Sequence, residues 1–362
     1  MLYTLISYCN NTWPTVGGVA RYDTQLSLIF PNRIFFKAPE DREKMLIFLK
    51  ACKNPIVITD NHLSCDIPNN YPVLLVHHGC ALTTYERNPL IGQLDSEWEN
   101  FFCKKQKEML VYRKPNNTWI ISISKACSDD FNKYFPNTYP KFKRIDILHP
   151  SELDESKYKT GFNKKPIILG NWSTIKKGIH LIHKLIELCP QFEFKSLDVM
   201  PNENESLYDF NKRKQYQYLS SDMFLQVANS EGFSYASNDA MICGLVPICT
   251  DVGGFYKDVD KNAFVKINWE KCYKDIDINY IISKLEYGWN NRDSLSKNAR
   301  EWYLNNCRFE DWSKKMKDVI NDFYIDQYGG KLIDNVKKKI KKKSKKRNKI
   351  RNKSLKLLNF ET

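Results

Sequence analysis

The 362-residue sequence has no C-x-x-C pair, no long apolar run and no internal repeat, and each absence removes a class of protein. A zinc site or a disulfide scaffold needs clustered cysteines. The eleven here are scattered, and Cys127, Cys189, Cys243, Cys249 and Cys307 lie within apolar segments, so they read as reduced core residues of a cytoplasmic protein. There is no Cys/His cluster and no metal is expected. No run approaches the roughly 20 apolar residues of a transmembrane helix. The opening MLYTLISYCNN lacks a basic n-region and reads as a first strand, not a signal peptide. The N-x-S/T sequons at Asn10, Asn116 and Asn171 are then expected to be silent. Self-similarity at a fixed period of about 20–50 residues, the mark of solenoids and propellers, is lacking.

The charge balance resembles a nucleic-acid signal until it is located. The net charge is +14, yet Lys331–Thr362 holds fourteen Lys/Arg against only Asp334 and Glu361. Twelve of the net charges therefore sit in a basic tail, and the preceding 330 residues are close to neutral. Lys337–Lys353 (KKKIKKKSKKRNKIRNK) suits any polyanion. It has no interleaved aromatics for base stacking and adjoins no folded nucleic-acid motif. Leu355, Leu357, Leu358 and Phe360 could add apolar insertion, so the favoured partner is an anionic membrane surface, bound peripherally. A solubilising tail and a nuclear localisation signal are the alternatives.

The body alternates short apolar runs with longer amphipathic stretches. Strands are expected at Leu2–Ser7, Arg33–Phe36, Pro55–Thr59, Pro72–Val76, Trp119–Ser124 and Arg144–Leu148. A second series is expected at Pro166–Leu169, Phe192–Leu197, Met223–Val227 and Val246–Thr250. Helical patterns fall between them at Val19–Ile29, Lys125–Tyr134, Ile179–Cys189 and Ser237–Cys243. Consecutive apolar residues in strands separated by helices imply parallel, doubly wound sheets covered on both faces. The polar stretch His149–Lys164 interrupts the alternation. It divides an α/β domain at 1–150 from a second at 165–308, with 151–164 as linker, a terminal helix at 309–330 and the tail at 331–362.

Asn229–Gly254 (NSEGFSYASNDAMICGLVPICTDVGG) carries the most chemistry. A buried strand leads into Glu-Gly-Phe-Ser and a helix, the place where an open parallel sheet binds ligands and a helix N-terminus receives anions. Glu231 lies at that mouth and Asp239 eight residues on, about two turns later on the same face. Taken alone, they read as well as a helix-start acid and a solvated surface residue. Thr15–Arg21 (TVGGVAR) follows the first strand, so Gly17 and Gly18 permit close backbone approach and Arg21 faces the same crevice. Pro72–Ala81 (PVLLVHHGCA) ends a strand on His77 and His78. Pro166–Gly178 (PIILGNWSTIKKG) opens a helix with Lys176 and Lys177, placed for a diphosphate.

Taken in this order, the segments resemble glycosyltransferase family 4, retaining enzymes of the GT-B fold. GGVAR, SISKACSDDF (Ser122–Phe131), ILHPSELD (Ile147–Asp154), GNWSTIKKG and NAREWYLNNCRFEDW (Asn298–Trp312) are supportive. The stretch from Asp222 to Gly254, which is similar to the family's strand, E-x7-E helix and following loop, is specific. The resemblance spans roughly 1–328. It implies two Rossmann-like domains facing each other across a cleft, with the acceptor on the N-terminal side and a nucleotide-sugar donor on the C-terminal side.

By the same resemblance, Glu231 contacts the transferred sugar and Asp239 the donor ribose. Gly232, Phe233 and Ser234 give amides to the donor, Lys177 grips the diphosphate, and Gly17, Gly18 and Arg21 close on it. His78 matches the family's active-site histidine better than His77. Three positions depart: Asp239 replaces a Glu, Asn171 stands where an Arg is usual, and Lys257 where an acid is usual. Lys176 is a candidate to restore the missing charge.

The implied reaction transfers a sugar with retention of configuration, without metal or cofactor, to a glycan, lipid or protein acceptor that the sequence does not identify. A degenerate nucleotide-sugar binder or a sugar-nucleotide epimerase of the same fold is the first alternative. A polyanion-binding protein acting through its tail is the second.

Overall fold

A computed structural model describes residues 3–10, 13–15, 17–88 and 97–329 of the chain. The basic tail, including Lys337–Lys353 and the apolar residues after it, lies outside the described residues. Two compact units divide the chain, one of Tyr3–Met316 and one beginning at Lys317. All that follows on sheets and sites belongs to the first. In the second, the helix Phe309–Tyr324 finishes and passes into a π-helical turn at Ile325–Gly329.

Eleven strands among the described residues form two wholly parallel sheets. β1 (Thr4–Cys9), β2 (Ile34–Lys37), β3 (Pro55–Asp60), β4 (Val73–His77), β5 (Thr118–Ser122) and β6 (Lys143–Asp146) lie in the order β2-β1-β3-β4-β5-β6. β7 (Ile167–Gly170), β8 (Glu193–Ser196), β9 (Met223–Gln226), β10 (Val246–Thr250) and β11 (Val265–Ile267) lie in the order β11-β10-β9-β7-β8. The register sets Ile6 beside Val57, Leu75 beside Ile120 and Ile248 beside Leu225. Every residue of β3, β4, β5 and β10 is buried, because helices cover both faces of each sheet. A fully buried aliphatic side chain in such a layer contributes about 1.5–3 kcal/mol relative to exposure.

This is the α/β architecture with two Rossmann-like halves that the strand–helix alternation implies. The differences are local. β11 has no counterpart in the expected strands, because a three-residue Val-Lys-Ile segment with Lys266 exposed carries too short a period to read. Expected ends shift by a few residues, as at β6, which spans Lys143–Asp146 instead of Arg144–Leu148.

Strand order reverses direction at β1 in one sheet and at β7 in the other, and ligand crevices open beyond the carboxyl ends of strands at such points. The described residues that follow β1, β7 and β9 there include Gly17 and Gly18, residues 171–178 and residues 228–234. Helices start behind them by local rules. Ser234 accepts a hydrogen bond from the Ser237 amide at the head of Tyr235–Ile242, and Ser124 does the same from Cys127 for Lys125–Tyr134. Gly17 sits at φ 125°, a backbone region that favours glycine, where the chain turns into the helix Gly18–Ile29.

The halves approach tightly at Gly232. A Cβ there would lie 2.1 Å from the carbonyl oxygen of His78. The Gly232 carbonyl in turn accepts from Ser124 Oγ at 3.0 Å. Lys257, the position where an acid was expected, forms an ion pair with Asp129 at 2.9 Å and so adds to the same contact. Trp312 packs edge-on against Tyr22, whose hydroxyl lies 3.5 Å from Met316 Sδ.

Candidate active site

Two cavities lie between the sheets and meet at Glu231. The smaller, about 360 Å³, is lined by Gly17, Gly18, Arg21, Asn171, Lys177, Glu231, Phe233, Ser234 and Asp239. Trp13, Leu197, Val199, Leu207 and Phe210 give it an apolar end, with the Trp13 and Phe210 rings 5.1 Å apart. The larger, about 580 Å³, is lined by His78, Asp60, Asn61, His62, Asp130, Lys176, Gly232 and Glu231 among others. Nine of the residues singled out from sequence thus surround the first cavity, and His78, Gly232 and Lys176 surround the second.

The lysine pair is divided, which corrects its expected placement beside a single diphosphate. Lys176 and Lys177 occupy one 3-10 turn, Ile175–Lys177, and successive side chains of such a turn point about 120° apart. Lys177 reaches the smaller cavity and pairs with the Glu231 carboxylate; Lys176 lines the larger one. The charge missing at Asn171 is therefore not restored by its neighbour.

The histidine pair divides in the same way. His77, the last residue of β4, is fully buried and stacks on Phe131 with ring centroids 4.0 Å apart. Burial, then the neighbouring His78, pushes its pKa down to about 3, so it is a neutral core residue. His78 faces the larger cavity, and its Nε2 lies 2.8 Å from Asp60 Oδ1. A carboxylate so placed fixes the ring and its tautomer, leaving Nδ1 as the other polar atom.

Asp239 is not the solvated surface acid of the plainer reading, and it lines the smaller cavity. It is 1% exposed and sits in a buried charge cluster. Arg21 donates to its two oxygens at 3.0 Å each, Ser151 Oγ donates at 2.5 Å, and Lys214 Nζ lies 3.3 Å away. Arg21 also pairs with Glu152 and lies over the Tyr235 ring, 4.2 Å from its centroid. Burial would raise the Asp239 carboxyl, but the Arg21 and Lys214 charges outweigh it and hold the group below the usual carboxylate range. Burial and then Arg21 lower the Lys214 ammonium. Two cations and two carboxylates thus tie the helix Gly18–Ile29, the 151–152 segment and two helices of the second half into one wall.

Sequence reasoning missed Asp60, Ser151, Glu152, Lys214 and His149. Asp60 ends β3, and the rule that crevices lie beyond strand carboxyl ends could have flagged it. Ser151 and Glu152 lie in ILHPSELD, which resembles only a linker entry. His149 is fully buried, with a pKa of about 3 set chiefly by burial. Its Nε2 donates to the Phe233 carbonyl at 2.9 Å and so fixes the loop after Glu231. Nothing at the sequence level marks Lys214, which stands within the amphipathic helix Leu207–Leu219. Among the described residues, no group of three or more His, Cys, Asp or Glu side chains is placed to hold a metal. The D-x-D triplets Asp258–Asp260 and Asp275–Asp277 line neither cavity.

Comparison with known proteins adds three findings. Residues 191–302 match the family model of glycosyl transferases group 1, a span that includes Glu231, Asp239 and the loop between them. No curated protein matches the sequence. Among solved structures, sucrose-phosphate synthase from Thermosynechococcus elongatus is similar with a TM-score of 0.67 at 14% identity, covering 89% of this chain and 99% of its own. Anabaena HepE, solved in complex with UDP-glucose, is similar with a TM-score of 0.61 at 11% identity, covering 88% and 99%. The catalytic domain of starch synthase IV from Arabidopsis thaliana, bound to ADP and acarbose, gives 0.56 at 10%, covering 89% and 99%. At these identities the likeness shows the fold, which is the GT-B arrangement.

Proposed function

We propose that this chain is a retaining glycosyltransferase of the family-4 kind, moving a hexose from a nucleoside diphosphate sugar to an acceptor hydroxyl without a metal. The observation that carries the reading is the meeting of two cavities at Glu231, one with Lys177 and an apolar end, the other with the His78–Asp60 pair. The group 1 model across residues 191–302 supports the class of reaction. The nucleotide sugar held by HepE supports the donor type.

In this reading the smaller cavity takes the donor, its base at the Trp13–Phe210 end and its diphosphate at Lys177. Lys177 already faces an anion in Glu231, so a second anion can share its charge. The sugar's anomeric carbon then lies near Glu231, at the join with the larger cavity. The bond from that carbon to the leaving phosphate oxygen breaks while a bond to the acceptor oxygen forms on the same face. The acceptor proton passes to a donor phosphate oxygen. Lys177 and the loop amides stabilise the charge that builds on the diphosphate, the term that preorganised groups supply best. His78, fixed by Asp60, orients the reacting hydroxyl. The close contact at Gly232 keeps water from the join.

Calorimetric titration with UDP, ADP and GDP in the presence of EDTA tests the donor assignment. One of the three should bind, and Lys177→Ala should weaken it about tenfold or more, the loss expected for one charge-assisted contact. Binding that requires Mn²⁺ or Mg²⁺, or no binding to any of the three, refutes it.

A further inference from the structure

The larger cavity carries an uneven set of polar atoms. Asn10 Oδ1, Asp60 Oδ2, Asn61 Oδ1 and His62 Nδ1 are buried without a hydrogen-bond partner, and all four residues line this one cavity. Asp60 is 7% exposed and spends only its other oxygen, on His78. Unpaired buried acceptors are costly and uncommon, so four around one space point to a ligand that supplies donors. Three of the four are oxygens that accept and cannot donate. Burial lowers the His62 pKa, which keeps its ring neutral and able to pair with a hydroxyl.

Charge narrows the class further. Among the acidic and basic side chains of the lining are Asp60, beside His78, Asp130, held by Thr83 Oγ1 at 2.9 Å, Glu231, paired with Lys177, and Lys176. A phosphate group would bring further acceptors to a wall whose unpaired atoms need donors, and its charge would face the carboxylate of Asp60. Phe102 adds a flat apolar surface suited to the C–H face of a sugar ring. The volume lies within the range of small-molecule sites.

We infer that the larger cavity is the binding site for a neutral saccharide acceptor, read by hydroxyl donation to Asp60, Asn61, Asn10 and His62, and selected against phosphorylated sugars and lipid phosphates. The inference rests on the glycosyltransferase reading for its word acceptor. The binding chemistry stands on the cavity itself.

Saturation-transfer NMR on the full chain tests it. The probes are glucose, galactose, N-acetylglucosamine and maltose, each beside glucose 6-phosphate, in the presence of UDP. At least one neutral saccharide should bind, at least about fivefold more tightly than glucose 6-phosphate. Asp60→Asn and His62→Phe should each weaken it about fivefold or more while UDP affinity changes by less than twofold, which also shows that both variants are folded. The second substitution keeps the ring packing against Phe102, so a loss there reports the nitrogen and not the core. Equal or tighter binding of glucose 6-phosphate overturns the inference, as does the absence of any saccharide signal in a protein that still hydrolyses UDP-glucose. If none of UDP, ADP and GDP binds and none of the matching nucleotide sugars is hydrolysed, the reading it rests on has failed instead.

Discussion

Replacing Asp239 by Asn removes one charge from the buried cluster and leaves its shape. Arg21, one-fifth exposed, then keeps only Glu152, and Lys214, 4% exposed, loses its single close carboxylate. Removing one partner from a buried ion pair costs about 3–5 kcal/mol, because the charge left behind has neither water nor a counter-ion. The lower end applies here. Burial and Arg21 already lower the Lys214 pKa, which lessens the cost of leaving that group without its carboxylate. A loss of about 3 kcal/mol corresponds to a drop in Tm of about 4 °C in a body of this size. Differential scanning calorimetry would show it. Lys214→Met in the Asp239→Asn background should recover part of the loss, because it removes the stranded cation. A Tm within about 1 °C of wild type, or strictly additive single and double variants, would refute the cluster's role.

Other perturbations separate the remaining parts. His77 and His149 have folded pKa values of about 3 against an ordinary value of about 6.5, so between those values the unfolded chain binds the proton and the folded chain does not. Their stabilisation is complete above about pH 6.5 and is lost as pH falls. Each histidine should cost about 2 kcal/mol by pH 5, and His77→Phe should remove one share of that slope in urea titrations. A slope unchanged by the substitution would assign the acid sensitivity elsewhere. Asn171→Arg should strengthen nucleoside diphosphate binding by about 1 kcal/mol, since Lys176 faces the other cavity and does not supply the charge missing at Asn171; no gain in calorimetry would contradict that division. Removing Lys331–Thr362 should leave nucleotide affinity unchanged and abolish adsorption to anionic liposomes, which in the intact chain should weaken steeply with salt. Tight binding to duplex DNA or RNA with indifference to liposomes would instead favour a nucleic-acid role for the tail.

The fold was legible because its strands are unbroken apolar runs at the centre of parallel sheets, a pattern that polar substitution would betray at once. Val57, Leu75 and Ile248 are examples. β11 was not legible, since a Val-Lys-Ile edge segment buries too little to stand out from a loop. At the site, Glu231, Lys177 and Arg21 were readable from their positions after strands. Their partners were not. Asp60, Glu152 and Lys214 lie 18, 131 and 25 residues from His78, Arg21 and Asp239, the groups they serve, and no local period encodes such a meeting. Nor could spacing decide between His77 and His78. The alternation of a β-strand puts neighbours on opposite faces, and only the packing of Phe131 against one of them says which face is core.

The claim that sugar transfer is centred on Glu231 is tested most directly by turnover. Release of UDP, ADP or GDP from the matching nucleotide sugars is followed by NMR in EDTA, with the neutral saccharides as acceptors, for wild type and Glu231→Gln. Wild type should release nucleotide from at least one donor and form a product with the donor's anomeric configuration. Glu231→Gln should bind the same nucleotide within a few-fold and turn over at least about a hundredfold more slowly. Equal turnover by the variant, or activity that appears only when Mn²⁺ or Mg²⁺ is supplied, would contradict the reading.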